Sequence, residues 1–354
     1  MATRNLVIKE KPSFKQQNLP AWQPILTAGT VLPTFFLIGV AFVPIGIGLL
    51  MSSTTVQEIS IDYTDCKSIN NTDRTCSSIV PSPCKCKIDF QLMEDFRQEI
   101  YVYYGLSNFY QNHRRYVKSR DDSQLLGNPK SVSGECYPFD YAIDPADNIS
   151  KPIAPCGAIA NSKFNDTFEI KWESHENKLK NISLSKLGIA WSSDKRIRFQ
   201  NPPGSDLKAA FEGTVKPPNW RHPVYNLSLS LENNGFQNED LIVWMRTAAL
   251  PTFRKIYGIV VPDTLQLDHL PAGQYSLLVD YNYPVTMFNG RKRFIMANTS
   301  WLGGKNNFLG VAYIVVGCIC FIISALFLFI HKKFGRLPSE IIQINQTTPF
   351  LATQ

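Results

Sequence analysis

Two long apolar runs stand out along the chain, at Val31–Met51 and Phe308–Ile330, and neither contains a charged residue. A helix rises about 1.5 Å per residue, so each run is long enough to cross a hydrocarbon core of about 30 Å. The pattern therefore predicts five segments: a tail at 1–28, a membrane helix at 29–51, a large body at 52–307, a second membrane helix at 308–330 and a tail at 331–354.

Between the two runs, apolar and polar residues alternate in several stretches. The clearest is Tyr275–Tyr283, with an apolar or aromatic residue at every second position. Shorter examples are Ile59–Tyr63, Ile88–Leu92 and Phe168–Trp172. Alternation with a period of two is typical of strands that have one covered and one solvated face. We therefore predict a β-rich body of antiparallel sheets, packed as a sandwich.

Helical patterns are fewer in the body. Asn238 followed by two acidic residues is typical of a helix start. It predicts a helix through Ala249, interrupted by Pro251, and then a short turn closed by Gly258. A second, amphipathic helix is predicted over Ser107–Lys118.

The two apolar runs share a further pattern of small residues. These recur every seven positions, at Gly39 and Gly46 in the first run and at Gly310, Gly317 and Ser324 in the second. Small residues allow membrane helices to approach closely, although glycine is common in such helices in any case. We take the stripe as a candidate contact surface, either for the other run or for a helix of a partner.

The charge distribution predicts how the chain is oriented. Four basic residues and one acidic residue precede the first run, giving +3, and three basic residues and one acidic residue follow the second, giving +2. Basic flanks place both termini in the cytosol and the body in the lumen or outside the cell. A cleaved signal peptide is the alternative for the first run, but 30 residues precede it, so we predict an uncleaved anchor. The basic balance lies outside the body, and no nucleic-acid partner is expected.

Cysteine usage agrees with that orientation. Six of the eight cysteines lie in the first half of the body: Cys66, Cys76, Cys84, Cys86, Cys136 and Cys156. An even number of cysteines in a non-cytosolic domain predicts disulfides. Cys84 and Cys86 could also be half of a metal site, but no second Cys or His pair stands at finger spacing, so no metal is expected.

Sequons for N-linked glycans also agree. Asn-x-Ser/Thr occurs six times in the body, at Asn70, Asn148, Asn165, Asn181, Asn226 and Asn298. All six are predicted acceptors on the lumenal or extracellular side. Asn345 matches as well, but it lies on the predicted cytosolic tail and should stay bare.

Motifs of catalysis are missing from the sequence. It contains no Gly-x-Ser-x-Gly elbow, and Gly303–Lys305 lacks the other residues of a phosphate loop. The densest polar cluster, His113–Asp122, could bind an anionic headgroup, although pairing of opposite charges across a turn is the simpler explanation. Two spans without a charged residue offer no conduction path for a polar solute. We expect no catalytic residue and no cofactor, and infer that the chain assists a partner.

Five longer stretches of the sequence resemble the cell-division-cycle-fifty family. They are Phe14–Pro24, Tyr104–Arg120, Pro155–Thr167, Asn238–Lys255 and Ser300–Asn306. That family comprises the accessory beta subunits of type-four P-type ATPases, the phospholipid flippases. The resemblance implies two membrane spans, cytosolic ends and a glycosylated, disulfide-bonded, β-rich ectodomain.

The resemblance also implies a function. The chain would form a heterodimer with the catalytic ATPase and let it leave the endoplasmic reticulum for the Golgi, secretory vesicles and plasma membrane. The complex would move aminophospholipids to the cytosolic leaflet, while the ATP site, the phosphorylated aspartate and the lipid path belong to the partner. Membrane lipids surround the spans, and Trp22 in the first stretch is expected near the cytosolic side of the interface.

Three disulfides follow from the resemblance. They pair Cys76 with Cys84, Cys66 with Cys86, and Cys136 with Cys156. Cys66 departs from the family pattern, because animal members usually hold their first two cysteines three residues apart. This and other departures leave the paralogue open.

Two other classes of protein remain as alternatives. A cell-surface receptor or carbohydrate-binding adhesion protein would share the spans, glycans and disulfides, but would not co-purify with a large ATPase. A membrane-tethered hydrolase would show activity in its isolated ectodomain.

Overall fold

The computed structural model describes residues 27–70, 73–79, 83–97, 99–173, 179–261 and 269–335. Trp22 and Asn345 lie outside these residues. The chain divides into two compact units. Of the described residues, those within Met1–Met51 and Asn306–Gln354 form one unit, and those within Ser52–Lys305 form the other, which we call the body.

The helices and strands follow in chain order. They are α1 (Ala28–Thr54), β1 (Glu58–Asp62), α2 (Cys76–Ile79), β2 (Cys84–Leu92), β3 (Ile100–Leu106), α3 (Arg114–Lys118), α4 (Asp122–Leu125), β4 (Tyr141–Ile143), β5 (Ser150–Pro152), α5 (Ala158–Asn161), β6 (Thr167–Glu173), β7 (Leu179–Ser185), α6 (Ser192–Ile197), α7 (Leu207–Ala210), α8 (Glu239–Met245), β8 (Phe253–Val261), β9 (Gly273–Tyr281), β10 (Lys292–Asn298) and α9 (Asn307–Phe334).

The two apolar runs form the two longest helices, α1 and α9. Both are long and apolar enough to cross a membrane, and they are candidate membrane spans. Each helix extends a few residues beyond its apolar run, because polar residues continue or cap it. At the start of α9 the side chain of Asn306 accepts a hydrogen bond from the backbone N–H of Phe308 at 3.1 Å, which satisfies a donor that has no partner inside the helix.

Eight strands of the body form one antiparallel sheet in the order β1-β10-β3-β8-β7-β6-β9-β2. The sheet curls so that its two halves face each other. The ring of Phe294 on β10 lies 5.2 Å from that of Phe168 on β6 and 6.4 Å from that of Phe90 on β2, although these strands are not neighbours. The predicted β-rich, sandwich-like body is confirmed, with its halves belonging to one continuous sheet.

Strand β9 shows why the alternation predicted the sheet correctly. Tyr275, Leu277, Val279 and Tyr281 are each no more than 1% exposed, and they point into the space between the facing halves. β9 lies between β2 and β6, so both of its edges are hydrogen-bonded. One face of the strand therefore supplies the core.

The helical predictions in the body are only partly right. Asn238 caps α8, since its side chain accepts a hydrogen bond from the N–H of Leu241 at 2.9 Å. The helix ends at Met245 and does not reach Ala249. Beyond its end, the N–H of Ala248 is bound at 2.9 Å by the side chain of Gln111, so a tertiary hydrogen bond replaces the next helical one.

Of two further local predictions, the turn at Gly258 was wrong and the helix over Ser107–Lys118 was only partly right. Gly258 lies inside β8, where a side chain would come within 2.9 Å of the carbonyl of Ser185 on the neighbouring strand β7. The residue is therefore small because two strands approach closely. Of Ser107–Lys118, only Arg114–Lys118 is helical. The start of that stretch is held by distant carbonyls instead, such as that of Pro251, which accepts from the N–H of Phe109.

Candidate functional site

The stripe of small residues lies where α1 packs against α9. Gly39, Gly46, Gly310 and Gly317 are buried there. A methyl group added at Gly46 would come within 2.7 Å of Ile314 and 2.9 Å of the Gly310 carbonyl. The hydroxyl of Ser324 donates to the carbonyl of Leu32 on the facing helix at 3.4 Å. The stripe therefore packs the two spans of one chain together, which is the first of the two alternatives given for these residues.

Aromatic rings extend that contact along the antiparallel pair. Phe36 meets Phe321 at a centroid distance of 5.7 Å, and Phe42 meets Tyr313 at 4.9 Å. The two helices thus interlock through ring packing and close backbone approach, which is how membrane helices associate in the absence of a hydrophobic driving force. The outward faces carry large apolar side chains such as Leu37, which is 63% exposed.

The six cysteines of the body are joined as Cys66–Cys86, Cys76–Cys84 and Cys136–Cys156. These are the pairs that the resemblance implied. Cys84 and Cys86 project from the same face of β2, because alternate residues of a strand point the same way. The sulfur atoms of Cys66, Cys76 and Cys86 lie within 4.8 Å of one another, but each is already bonded in a disulfide and so is not available as a thiolate ligand.

Three of the stretches that carry the resemblance meet in the interior of the body. The ring of Tyr104 stacks on that of Phe164 at 4.0 Å and lies 6.3 Å from that of Trp244. The indole N–H of Trp244 donates to the carbonyl of Ile159 at 2.7 Å. Segments far apart in the sequence therefore build one cluster around Trp244.

Gly157 explains part of the motif in the second of these stretches. Its φ is +96°, and a side chain would place a Cβ 2.1 Å from the carbonyl oxygen of Ser119. Only glycine fits both the backbone conformation and the contact. The hydroxyl of Ser119 then accepts from the N–H of Ala158 at the start of α5, at 2.9 Å.

A carboxylate with two lysines lies beside the Trp244 cluster. Asp240 accepts from Lys163 at 2.5 Å, and the ammonium of Lys186 lies 3.6 Å away and over the ring of Tyr257. Burial alone would raise the pKa of Asp240, but the two ammonium groups outweigh it and lower the pKa to about 2. Asp240 therefore stays ionised throughout the physiological range.

Lys255 closes the C-terminal end of α8. Its ammonium donates to the carbonyls of Val243, Trp244 and Arg246 at 3.2, 2.6 and 2.7 Å. Burial lowers the pKa of Lys255 to about 7, while the carbonyl dipoles at the helix end favour the charged form. A strand residue thus caps a helix that precedes it in the chain.

Asp166 and Lys292 form an ion pair at the centre of the body, 2% and 0% exposed. The ammonium lies 2.7 Å from the carboxylate and donates to the carbonyl of Tyr283 at 2.8 Å. Asp166 also accepts from the hydroxyl of Tyr63 and from the N–H of Asn282 at 2.9 and 2.6 Å. Burial lowers the pKa of Lys292 to about 8, against the opposing effect of Asp166. The pair ties β10 to the segments that flank β6 and β9.

Comparison with known proteins identifies the family of this chain. The LEM3 (ligand-effect modulator 3) / CDC50 family matches residues 49–337. The chain belongs to the CDC50 family. Cell cycle control protein 50A of Bos taurus is 54% identical over 329 residues, covering 92% of this chain and 89% of the relative.

Two other CDC50-family relatives are more distant. Cell cycle control protein 50B of Homo sapiens is 44% identical over 337 residues, covering 92% of this chain and 94% of the relative. ALA-interacting subunit 3 of Arabidopsis thaliana is 41% identical over 349 residues, covering 93% and 88%. The matches confirm the family resemblance and leave the individual paralogue open.

The sequons of this CDC50-family chain differ in their surroundings. Asn70, Asn148, Asn181 and Asn226 are exposed, and Asn165 is half-buried. Asn298 is only 7% exposed, and its side chain accepts from the N–H of Gln57 at 2.9 Å and donates to the carbonyl of Arg97 at 3.3 Å. A glycan is attached to the same amide nitrogen, so Asn298 is the least accessible of the six predicted acceptors, and its glycosylation stays a prediction.

Other predicted polar residues have structural partners in the CDC50-family fold. In the His113–Asp122 cluster, Arg120 pairs with Asp122 at 2.9 Å, and Asp121 caps α4 by accepting from the N–H of Gln124. Opposite charges therefore pair across the turn, as the simpler explanation held.

Sequence reasoning missed the buried ionic groups. A signal existed, because Lys292, Phe294 and Met296 lie on one face of β10, and a lysine at an inward position of an alternating strand needs a buried acceptor. The partner Asp166 lies 126 residues away in the sequence, and no local pattern could name it.

Proposed function

We propose that this chain is the non-catalytic beta subunit of a type-four P-type ATPase. The heterodimer moves aminophospholipids to the cytosolic leaflet, and the ATP site and lipid path belong to the partner. The observation that carries the proposal is the pair of spans, which have no charged residue and pack directly on each other through Gly46 and Gly310. Such a pair offers no route for a phospholipid headgroup.

Family membership supports an accessory role. The relative from Arabidopsis thaliana is named as an interacting subunit. In this proposal the body holds the lumenal loops of the ATPase, and the outward faces of the spans, which carry Leu37, Ile47 and Ile322, lie against its membrane helices and the surrounding lipid. The tail that contains Trp22 runs along the cytosolic side of the interface.

The proposed topology places both termini in the cytosol and the body in the lumen or outside the cell. Three disulfides in the body support this orientation, because such bonds persist in oxidising compartments, and the basic flanks favour it as well. The subunit accompanies its ATPase from the endoplasmic reticulum through the Golgi and secretory vesicles to the plasma membrane. Tags at the two termini should be stained after selective permeabilisation of the plasma membrane; staining of intact cells would contradict this topology.

The main experiment is purification of the tagged chain in mild detergent, with identification of co-eluting proteins. We expect one large multi-span ATPase in a one-to-one ratio. Reconstituted in vesicles, the ATPase with this subunit should move labelled aminophospholipids, and the subunit alone should not.

Two outcomes would point elsewhere. A receptor or adhesion protein would elute without an ATPase, and a tethered hydrolase would act by itself. Lipid movement or ATP hydrolysis by the pure chain would refute the accessory role.

A further inference from the structure

A cleft of about 230 Å³ opens beside Asn165, the half-buried sequon. Its walls include Lys163, Lys186, Trp220 and Asp240. This volume lies below the roughly 300–1,000 Å³ of pockets that take drug-sized ligands. The cleft therefore suits a small ligand of about one ring.

The amide oxygen of Asn165 is the first indication that the cleft binds a group. It is buried, and no hydrogen-bond donor reaches it among the described residues. An unsatisfied buried acceptor is costly, so such groups are normally paired with protein, water or a bound group. The exposed sequons at Asn148 and Asn181 have open surroundings instead.

The charges of the cleft favour a neutral occupant over an anion. Both of its lysines, Lys163 and Lys186, are directed at the single carboxylate of Asp240. Arg221 at the rim donates to the side chain of Asn282. Because the cations already have partners, the cleft offers hydrogen-bonding groups without a strong field for a phosphate.

Two aromatic side chains complete the cleft. The indole N–H of Trp220 donates to the carbonyl of Ala160 at 2.6 Å, and the hydroxyl of Tyr257 accepts from the N–H of Phe168 at 3.1 Å. These bonds fix both rings in place, so the cleft is rigid. The ammonium of Lys186 covers the ring of Tyr257, so the indole of Trp220 supplies the apolar wall. Apolar ring surface next to hydrogen-bonding groups is what a sugar, with its C–H faces and hydroxyls, requires.

We propose that this cleft holds the first N-acetylglucosamine of a glycan attached to Asn165. The glycan on Asn165 then packs as part of the fold, whereas glycans on exposed sequons extend into solvent. The proposal rests on the lumenal position of the body in the proposed function, and it does not depend on which ATPase is the partner.

The test uses the full chain, expressed without an ATPase partner and purified in mild detergent. Glycopeptide mass spectrometry first measures occupancy at each sequon. Native digestion with peptide N-glycosidase then follows release from Asn165 against Asn148 and Asn181. We expect release at Asn165 to be slower by about tenfold or more, because the enzyme must wait for a local opening. After denaturation all three sites should be released alike.

A pair of variants separates the cleft from general shielding. Leu227→Trp fills the cleft from its lining, while Leu229→Trp, two residues along the same segment, alters a fully exposed side chain. Both keep the sequon at Asn226. Thermal melting checks that each variant folds. Release at Asn165 should become fast in Leu227→Trp and stay slow in Leu229→Trp.

Several outcomes would overturn the proposal. They are an unoccupied Asn165, release from Asn165 as fast as from Asn148 and Asn181, and protection that survives in folded Leu227→Trp. Protection that appears only when the ATPase is co-expressed would assign the shielding to the partner. Co-purification of the ATPase tests the proposed function separately, so the two can fail independently.

Discussion

Replacing Asp166 with asparagine removes the charge that balances Lys292 in the centre of the body. The substitution keeps the size of the side chain and leaves one amide oxygen, which can still accept from the N–H of Asn282. An amide nitrogen replaces the oxygen that accepted from Tyr63 and Lys292. It also keeps the sequon at Asn165, whose middle position takes any residue except proline. The variant therefore removes the charge and one acceptor oxygen of Asp166 while it keeps the shape of the side chain.

The expected loss follows from the burial of the pair. Lys292 is 0% exposed and lies 2.7 Å from the carboxylate, so the variant leaves a buried ammonium without its counter-charge. Breaking such a pair from one side costs about 3–5 kcal/mol. For a domain of this size, that loss lowers the melting temperature by about 6–20 °C.

The stability difference between Asp166→Asn and the native chain should depend on pH in a definite direction. The folded-state pKa of Lys292 is about 8, below its ordinary value of 10.5, and removing Asp166 should lower it further. A lysine with a lowered folded-state pKa loses its proton more readily in the folded chain, so stability rises with pH through that range. The difference between Asp166→Asn and the native chain should therefore be smaller at pH 9 than at pH 7.

The measurement is thermal unfolding of the full chain in detergent, followed by fluorescence of the buried tryptophans. Glu135→Gln is the matched control, because its partner Lys118 lies 3.9 Å away and both side chains are more than half exposed. Exposed pairs contribute about 1 kcal/mol or less. A double variant, Asp166→Asn with Lys292→Met, should recover much of the loss. If Asp166→Asn melts together with Glu135→Gln, the reasoning about the buried pair is refuted.

Three further predictions concern the spans, an acid and a bridge. Gly46→Leu should reduce co-purification of the ATPase, because overpacking between the two spans costs about 1–3 kcal/mol. Gly48→Leu is the control and should not reduce it, since nothing described lies within 4 Å of an added Cβ there. Equal yields of ATPase from the two variants would contradict the packing. Asp240→Asn should lower the free energy of unfolding by about 2 kcal/mol at pH 7. Because the pKa of Asp240 in the folded chain is about 2, below the ordinary 3.8, the variant should also lose less stability than the native chain between pH 4 and 2. Urea unfolding at each pH measures both effects, and unchanged curves would count against them. Cys136→Ser should lose about 2–4 kcal/mol and be retained inside the cell with its ATPase, so normal surface biotinylation would weigh against the bridge.

Local patterns predicted the parts of the fold that local forces decide. The two spans follow from uninterrupted apolar length, and β9 follows from alternation between Tyr275 and Tyr281, because each inward residue there is buried. The cap at Asn238 was also predictable, since it needs only the N–H of Leu241 three residues ahead.

The rest depends on contacts between distant segments. The end of α8 is set by Lys255, which reaches back from β8 to its last carbonyls. Gly258 was predicted to close a turn, but it lies in β8, where the absence of a side chain allows β7 to pack closely. The stripe containing Gly46 and Gly310 could face either the other span or a helix of a partner. The sequence could not distinguish the two, because both kinds of contact need the same small residues. Contacts between distant segments produce no periodic pattern in the sequence from which they could be predicted.

The place of β10 in the sheet affects how the protein is made. Among the strands of the described residues this one is the last to be synthesised, yet it lies between β1 and β3. Until the ribosome has passed Asn298, those two strands lack their shared neighbour and expose open edges, which are prone to aggregation. The ion pair of Asp166 also cannot form before Lys292 has been synthesised. The sheet therefore cannot be completed until its last strand has been made, and the edges of β1 and β3 that β10 covers stay open until then.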